Sequence, residues 1–396
     1  MDYAISNKMV SIKPSAIREI FKSLSDPTII PFAAGNPSPE SFPAEQLAAL
    51  SQEIFANCAS QALQYGITEG YFPLREKITS RIQAKFGIGG ADDTLIITSG
   101  GQQGIDLTCK VLCNEGDVVI CENPSFIGAL NSFRANGAKL VGVDLESDGM
   151  NIDMLEEALK ANPRAKLIYT IPTFHNPAGI TTSPAKRKSI YALAKKYGVI
   201  ILEDNPYGEL RFSGEDIPTL KSMDEDGIVV YCSSFSKILS AGMRVGYLCA
   251  PTALMSKIIV AKQSNDVHTN LFFQMLCNAF MEKYDMDEHI NGIKKLYGRK
   301  CGVMVAEMEK NIDERVSFTR PEGGLFLWCT LPGGVDFNGF IKTCMSNKIA
   351  VVPGTAFLCD ETQPTLSFRL NYSTPSDEQI VKGIGILGDC IRQTLK

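Results

Sequence analysis

Short apolar runs alternate with amphipathic stretches between about residues 94 and 250 of this 396-residue chain. Seven such runs occur, at 95–98, 118–121, 139–143, 167–170, 199–202, 228–231 and 245–249. Runs of this length predict buried strands, and the helical spacers between most of them favour parallel pairing, because parallel neighbours need a long crossover. We therefore predict an α/β fold with a large, mostly parallel seven-stranded sheet covered by helices.

Capping residues and periodicity predict the helices between these strands. A helix over 186–197 is expected to begin at Ser183 as N-cap with Pro184 at its first position, and Gly198 is expected to end it. Helices are also predicted at 102–112 and 153–160. Beyond about residue 257 the chain reads as helical to about 311, and strands follow near 324–328, 349–352 and 366–370. This ending predicts a second, smaller α+β domain.

Length, composition and charge restrict the class of protein. A chain of 396 residues is longer than one hydrophobic core usually accommodates, so more than one domain is expected. Its composition, with 44% hydrophobic and 21% charged residues, is typical of a globular protein. A net charge of -5 without a basic run argues against nucleic acid as a partner. We find no uninterrupted apolar stretch long enough to span a membrane, and no secretory signal pattern in the first twenty residues. We therefore expect a cytoplasmic protein.

Cysteine and histidine spacing does not predict a metal site. The twelve cysteines are spread from Cys58 to Cys390 without a C-x-x-C pair, and the three histidines form no short cluster. Zinc sites normally show closely spaced ligands of these types. We expect most of these thiols to pack in the interior.

The first candidate for ligand binding is the small-residue turn Thr-Ser-Gly-Gly-Gln-Gln-Gly at 98–104, directly after the first predicted strand. Ligands of open parallel sheets bind beyond the carboxyl ends of the strands, and backbone amides at a helix start attract anions. The turn matches neither the dinucleotide motif G-x-G-x-x-G nor the P-loop. Taken alone, it is more simply explained as a tight strand-to-helix turn.

Polar motifs also follow later strands, at 175–179, 203–207 and 233–237, with Arg244 a few residues further on. Each residue has a simple role when considered singly: Asn176 in a turn, Asp204 as a cap and Lys237 as a solvated charge. Together, however, these motifs bring an amine, a carboxylate, a phenol, an amide and a phosphate cup to one rim. That combination is what a pyridoxal phosphate (PLP) site needs.

The chain resembles the fold type I PLP-dependent aminotransferases of class I/II, and most closely the 2-aminoadipate/kynurenine aminotransferase group. The resemblance covers nearly the whole chain, and it is carried by residues 15–19, 34–43, 63–70, the rim motifs and 367–372. Its most specific motif is S-x-S-K-x-x-x-x-G-x-R-x-G at 234–246. The resemblance implies a homodimer that moves the amino group of 2-aminoadipate, an aromatic or a broad range of amino acids to a 2-oxo acid. The expected acceptor is 2-oxoglutarate, in a ping-pong mechanism.

The same resemblance implies roles around the cofactor ring. Lys237 would hold PLP as a Schiff base and then shuttle the proton between Cα and C4′. Asp204 would face the pyridine nitrogen and keep it protonated, while Tyr207 and Asn176 would hydrogen-bond the ring O3′. Phe126 would stack on the ring, at a position where relatives often carry tyrosine.

Further residues are implied at the phosphate and the substrate. The phosphate group would contact the amides of Gly101 and Gln102, the side chains of Ser234, Ser236 and Arg244, and Tyr65 of the other subunit. The substrate α-carboxylate would bind Arg369, close to Gly35 and Asn176. Arg18 matches an arginine that can meet a distal substrate carboxylate, although a solvated position on an amphipathic helix explains it equally well.

Three functions other than amino transfer are alternatives for this sequence. A PLP-dependent lyase or decarboxylase would keep the cofactor and break another bond at Cα. A transcription regulator with an aminotransferase-like effector-sensing module would also need a helix-turn-helix; we expect none here, because the resemblance starts almost at the first residue and the chain is acidic. A nicotinamide dehydrogenase lacks its glycine motif. From the resemblance we expect residues 1–40 to pack against the small domain and active site, 41–290 to form the large PLP-binding domain, and 291–396 to form the small domain.

Overall fold

A computed structural model describes residues 3–10, 12 and 26–396, so Arg18 and the motif at 15–19 lie outside the described residues. The α-helices run in chain order as follows: α1 Asn7–Val10, α2 Ala44–Ala62, α3 Phe72–Phe86, α4 Gly101–Leu112, α5 Ile127–Ala135, α6 Ile152–Ala161, α7 Pro184–Tyr197, α8 Thr252–Asp266, α9 Leu271–Lys283, α10 Met286–Asn311, α11 Phe337–Ser346 and α12 Asp377–Thr394. Short 3₁₀ turns lie at Pro39–Ser41, Lys221–Met223 and Gly354–Phe357.

The large sheet contains eight strands in the order β1-β8-β7-β6-β5-β2-β3-β4. Their bounds are β1 Asp93–Thr98, β2 Val118–Asn123, β3 Lys139–Glu146, β4 Gly149–Met150, β5 Ala165–Thr170, β6 Ile200–Asp204, β7 Val229–Ser234 and β8 Gly246–Pro251. The central pairings are parallel, whereas β8 runs antiparallel to both of its neighbours. The mostly parallel α/β architecture is therefore confirmed.

One strand of this sheet is additional to the seven predicted. β4 contains two residues and pairs antiparallel with the end of β3. Two residues are too few to show an alternating or apolar pattern, so β4 left no signal in the sequence. It extends the sheet edge without changing its centre.

A second sheet is formed later in the chain, in the order β11-β12-β10-β9. Its strands are β9 Ser317–Phe318, β10 Phe326–Thr330, β11 Val352–Pro353 and β12 Ser367–Asn371, and all of their pairings are antiparallel. The segment before α2 lies against it: Ile30 bridges Ile349, and the Asn371 amide donates to Phe32 O at 2.8 Å. These contacts carry residues 33–36 toward the large sheet.

Local capping agrees with the sequence at α7. Ser183 is its N-cap and accepts a hydrogen bond from the Lys186 amide, Pro184 is its first residue, and Gly198 ends it in a left-handed conformation at φ 67°. The helix also carries the buried Arg187, which donates to the carbonyl oxygens of Pro172 at 2.7 Å and of Thr182 at 3.0 Å. Arg187 thereby fixes both ends of the loop from residue 172 to 182, and this loop carries Asn176.

The central strands of the large sheet, β2 and β5 to β8, are largely buried on both faces, whereas β3 is partly exposed. In β5, Ile168 belongs to one apolar cluster and Tyr169 to the other, as alternation along a strand requires. Among the described residues, no helix is both long enough and apolar enough to traverse a bilayer.

Candidate active site

A cavity of about 370 Å³ lies at the carboxyl ends of the large-sheet strands and is closed on one side by β10 and β12. Asp204 and Ser234, the last residues of β6 and β7, both line it. Twelve of the fourteen predicted site residues line this one cavity: Gly35, Gly101, Gln102, Phe126, Asn176, Asp204, Tyr207, Ser234, Ser236, Lys237, Arg244 and Arg369. Residues separated by more than 330 positions in sequence thus meet at one place.

One wall is the start of α4, where glycine is required by close packing. Gly100 has φ 75°, and a Cβ placed on it would lie 2.3 Å from Arg244 Nη2. A Cβ on Gly246 would lie 2.7 Å from the Gly101 nitrogen. The first amides of a helix have no partner within it, so this wall presents N–H groups beside a guanidinium. It is suited to an anion.

Hydroxyl groups extend the same wall. Ser234 Oγ donates to Ser236 Oγ at 2.7 Å, and Arg244 Nη1 donates to Ser236 Oγ at 3.4 Å. The side chain of Gln102 is already engaged, since its Nε2 donates to Gly128 O at 2.8 Å. The backbone of Gln102 is therefore the part best placed to meet a ligand.

Lys237 provides the amine of the cavity. Its Nζ donates to Gly35 O at 2.9 Å. Burial lowers the pKa of Lys237 to about 8, and the positive charges of Arg369 and Arg244 act in the same direction. An amine with such a pKa is partly unprotonated near neutral pH, which is the form that can attack a carbonyl carbon.

A carboxylate and a phenol lie across from this amine. Burial raises the pKa of Asp204 to about 7; a hydrogen bond from Tyr169 opposes the shift, and the charge of Glu122 adds to it. Burial also raises the pKa of Tyr207, with a contribution from Asp204 that Arg369 opposes. The phenol of Tyr207 is therefore a hydrogen-bond donor in the working pH range.

Arg369 supplies a buried guanidinium. It donates to Asn176 Oδ1 at 3.0 Å, to Ala33 O at 3.0 Å and to Ala34 O at 3.3 Å, while its Nε has no partner within the described chain. Its carbon Cζ lies 4.2 Å from the ring centre of Phe326. Burial lowers the pKa of Arg369 to about 10. Among the described residues, no carboxylate pairs with this cation, so an anionic ligand would relieve the cost of its burial.

The remaining two predicted site residues are Tyr65 and Arg18. Tyr65 is 80% exposed and lines a separate surface depression, together with Leu271 and several residues between positions 60 and 72. Arg18 lies outside the described residues.

Sequence reasoning missed two aromatic residues that shape the site. Phe326 lies beneath Arg369 and contacts Tyr207 edge to face, with ring centres 5.9 Å apart. Tyr169 donates to Asp204 Oδ2 at 2.7 Å. The signal for Tyr169 was a tyrosine within a fully buried strand, because its hydroxyl must find a partner there. For Phe326 the sequence indicated only a place in a predicted strand, and nothing in it indicated a contact with the site.

Comparisons with known proteins agree with this geometry. The family model described as "Aminotransferase class I and II" matches residues 27–387. Aromatic-amino-acid aminotransferase 1 of Thermococcus litoralis is 38% identical and covers 100% of this chain and 96% of the relative. The 2-aminoadipate transaminase of Thermus thermophilus is 35% identical over 97% of this chain and 95% of that protein.

A solved structure gives the same result for the fold. The kynurenine aminotransferase of Pyrococcus horikoshii, described in complex with PMP, superposes with a TM-score of 0.95 and 36% identity. The superposition covers 99% of this chain and 98% of the Pyrococcus horikoshii chain. The likeness therefore extends over both sheets and the cavity between them.

The neighbouring cations generate a prediction for the Lys237 amine. In protein freed of carbonyl compounds, limited reductive methylation of Lys237 should follow an apparent pKa of about 8. Arg369→Met should raise that pKa, because it removes a positive charge that disfavours the protonated amine. Methylation is quantified by peptide mass spectrometry at each pH. The control is Arg211→Met, which removes another buried arginine; equal effects of the two variants would contradict the direct influence of Arg369.

Proposed function

The chain belongs to the class I and II aminotransferases and uses pyridoxal phosphate, and from this premise we propose a role for each residue of the cavity. The observation that carries the proposal is the convergence of Lys237, Asp204 and Arg369 on one cavity. A partly unprotonated amine, a buried carboxylate and a guanidinium without a carboxylate partner are the three ionisable groups that amino transfer requires.

The wall at the start of α4 fits the phosphate of the cofactor. We assign the phosphate to the amides of Gly101 and Gln102, the hydroxyls of Ser234 and Ser236, and the guanidinium of Arg244. The close approach at Gly100 and Gly246 supports this assignment, because a side chain at either position would displace Arg244 or the first amide of the helix. Charge-assisted hydrogen bonds of this kind are stronger than neutral ones.

Phe126 and Asp204 both line the cavity and would hold the cofactor ring, Phe126 by stacking on its face and Asp204 at its nitrogen. Bound PLP supplies an aldehyde that amines condense with and a ring that withdraws electrons from the bonds at the substrate Cα. Asp204 would accept a hydrogen bond from the ring nitrogen and keep that nitrogen protonated. Tyr207 and Asn176 would hydrogen-bond the ring oxygen O3′. The burial of Asp204 supports its role, since a charge there needs a cationic partner.

Lys237 is the proposed attachment point of the cofactor and the proposed proton carrier. Once its Nζ is released by the incoming amine, it can take the proton from the substrate Cα and deliver it to C4′. The low pKa of the amine supports this role, because a general base works best near the ambient pH.

Arg369 is the proposed partner of the substrate α-carboxylate. Its unpartnered Nε and the nearby Asn176 side chain support a clamp with more than one hydrogen bond. A Cβ on Gly35 would lie 3.7 Å from Arg369 Nη2, so a side chain there would occupy the approach to the guanidinium. We propose that both amino acids and 2-oxo acids bind here in turn, with 2-oxoglutarate as the amino acceptor and a ping-pong order.

The side chain of the substrate would lie against an apolar part of the cavity. Ile127, Ile171 and Phe326 line it, which suits aromatic and long aliphatic substrates. A second carboxylate, as in 2-aminoadipate, needs a cation, and Arg18 is the residue we propose for it. A broad specificity is consistent with relatives named for aromatic amino acids and for 2-aminoadipate.

We also propose a cytoplasmic homodimer in which Tyr65 reaches the phosphate of the partner subunit. Tyr65 and three large hydrophobic residues near it are exposed: Tyr65 at 80%, Leu63 at 74%, Ile67 at 57% and Phe72 at 60%. An exposed apolar patch of this kind is typical of a protein interface.

For the chain as a whole we propose the division into residues 1–40, 41–290 and 291–396. The contacts of Ile30 and Phe32 with the second sheet support the first unit. The last boundary falls within the continuous helix α10, which connects the two larger units.

Absorption spectra test the proposed chemistry. The purified protein should show the visible band of lysine-bound PLP, and an amino acid alone should bleach it toward the pyridoxamine form. Lys237→Ala should lack the band and turnover. Arg369→Ala should keep the band and lose roughly 1.5–3 kcal/mol of substrate affinity, the scale of a charged hydrogen bond. A band that no amino acid bleaches would favour a lyase, and native turnover by Lys237→Ala would refute the mechanism.

A hybrid dimer tests the role of Tyr65. Co-expressed Lys237→Ala and Tyr65→Phe chains should form a hybrid in which one site combines an intact Lys237 with an intact Tyr65 from the partner. That site should recover the PLP affinity that the Tyr65→Phe homodimer loses, because the phosphate regains its hydroxyl partner. Cofactor retention and turnover are measured on tag-purified hybrids. No gain over the parent homodimers would show that Tyr65 does not serve the partner site.

Substrate ranking tests the role of Arg18. Arg18→Ala should weaken 2-aminoadipate and glutamate by about 1.5 kcal/mol or more relative to leucine and phenylalanine, because only the former pair carries a distal carboxylate. Arg18→Lys is the charge-retaining control and should preserve part of the preference. The measurement is kcat/KM for each of the four amino acids. An equal loss for all four would assign Arg18 a structural role.

A further inference from the structure

We propose that Tyr169 is a positioning residue that holds Asp204 ionised and oriented toward the cofactor ring. The inference deepens the proposed function, since it rests on the role of Asp204 at the ring nitrogen. Tyr169 does not line the cavity, so it can act only through the carboxylate.

The contact between the two side chains is short and fully enclosed. Tyr169 lies on β5 and Asp204 ends the neighbouring parallel strand β6. The Tyr169 hydroxyl donates to Asp204 Oδ2 at 2.7 Å, and the two residues are 0% and 4% exposed. This bond occupies one carboxylate oxygen and leaves the other for the ring nitrogen.

The direction of this hydrogen bond is fixed by the charge state of the phenol. Burial, together with the negative charge of Asp204, raises the pKa of Tyr169 well above its ordinary value. The hydroxyl therefore keeps its proton and acts as a donor in the working pH range. A donor to a carboxylate favours the ionised form, and it lowers the pKa of Asp204 against the effect of burial.

Other titratable groups face Asp204 and act differently from Tyr169. The charge of Glu122, on β2, opposes ionisation of Asp204, and Glu122 itself lies 3.1 Å from His175 Nε2. Burial raises the pKa values of Cys232, on β7, and of Tyr207, and the charge of Asp204 adds to both shifts. Within the described residues, Tyr169 is the neighbouring side chain that lowers the pKa of Asp204.

The ring of Tyr169 is held in place by packing. Phe133, on α5, contacts it edge to face with ring centres 5.3 Å apart. The same helix begins directly after Phe126, the proposed stacking residue. The packing of α5 thus holds the Tyr169 phenol beside Asp204, and the same helix carries Phe126 at its N-terminus, so one helix links the two residues that would meet the ring.

The test is a pH titration of the holoenzyme spectrum with the variant Tyr169→Phe. Losing the donor should leave Asp204 less able to keep the ring nitrogen protonated. An unprotonated ring withdraws fewer electrons, so the lysine–PLP linkage should hold its own proton to higher pH. We expect the midpoint of the visible band to rise by about one pH unit, a tenfold change in proton affinity. Amino acid half-reaction rates should fall while substrate binding changes little.

Two further variants make the result specific. Tyr231→Phe removes another buried hydroxyl of the same sheet, which is bonded to Asn205 instead of Asp204, and should leave the midpoint at the wild-type value. Asp204→Asn should raise the midpoint at least as far as Tyr169→Phe does. If Asp204→Asn raises it and Tyr169→Phe does not, the inference about Tyr169 is wrong. If Asp204→Asn leaves it unchanged, the proposed role of Asp204 fails first.

Discussion

The positive charge of Arg369 is buried without a carboxylate partner in the described chain, and much of the site depends on this condition. Carbonyl oxygens and Asn176 satisfy part of its donor capacity, and two aromatic rings lie against the guanidinium plane. These contacts make burial tolerable without neutralising the charge. The remaining charge adds to the effect of burial in lowering the pKa of Lys237. In the proposed function the same charge would attract the substrate carboxylate, so one buried cation would serve both recognition and reactivity.

The two sheets divide the work of building the cavity. The parallel strands of the large sheet end at one edge, which brings the start of α4, Asn176, Asp204 and Lys237 together. The second sheet contributes Arg369 from β12 and Phe326 from β10, two strands that pair directly. The segment from residue 26 to 40 runs between them, and its carbonyl at Gly35 meets Lys237 while those at Ala33 and Ala34 meet Arg369. Movement of one sheet against the other would therefore change the hydrogen bonds of Lys237 and Arg369 together.

Support from behind the cavity is as important as the residues that line it. Arg187 fixes the loop that carries Asn176 by donating to carbonyl oxygens at both ends of the loop. Tyr169 contacts the carboxylate of Asp204 from within the sheet. Such buried side chains restrict the conformations of the groups in front of them, and precise placement of reacting groups accounts for a large part of enzymatic rate enhancement.

The sequence by itself determined the seven longer strands of the large sheet, the long helices and most of the predicted residues that line the cavity. Buried strands of a parallel sheet are continuous apolar runs, and caps such as Ser183 and Gly198 act through their immediate neighbours, so both are visible locally. The motif at 234–246 carried the resemblance that led us to expect Lys237 and Arg244 at the cofactor. Tertiary structure alone decided what depends on distant contacts: the two-residue strand β4, the lowered pKa of Lys237, Phe326 beneath Arg369, and the Tyr169 bond to Asp204. Burial and charge separation are properties of the folded arrangement, and residues far apart in sequence leave no periodic or local pattern that reports them.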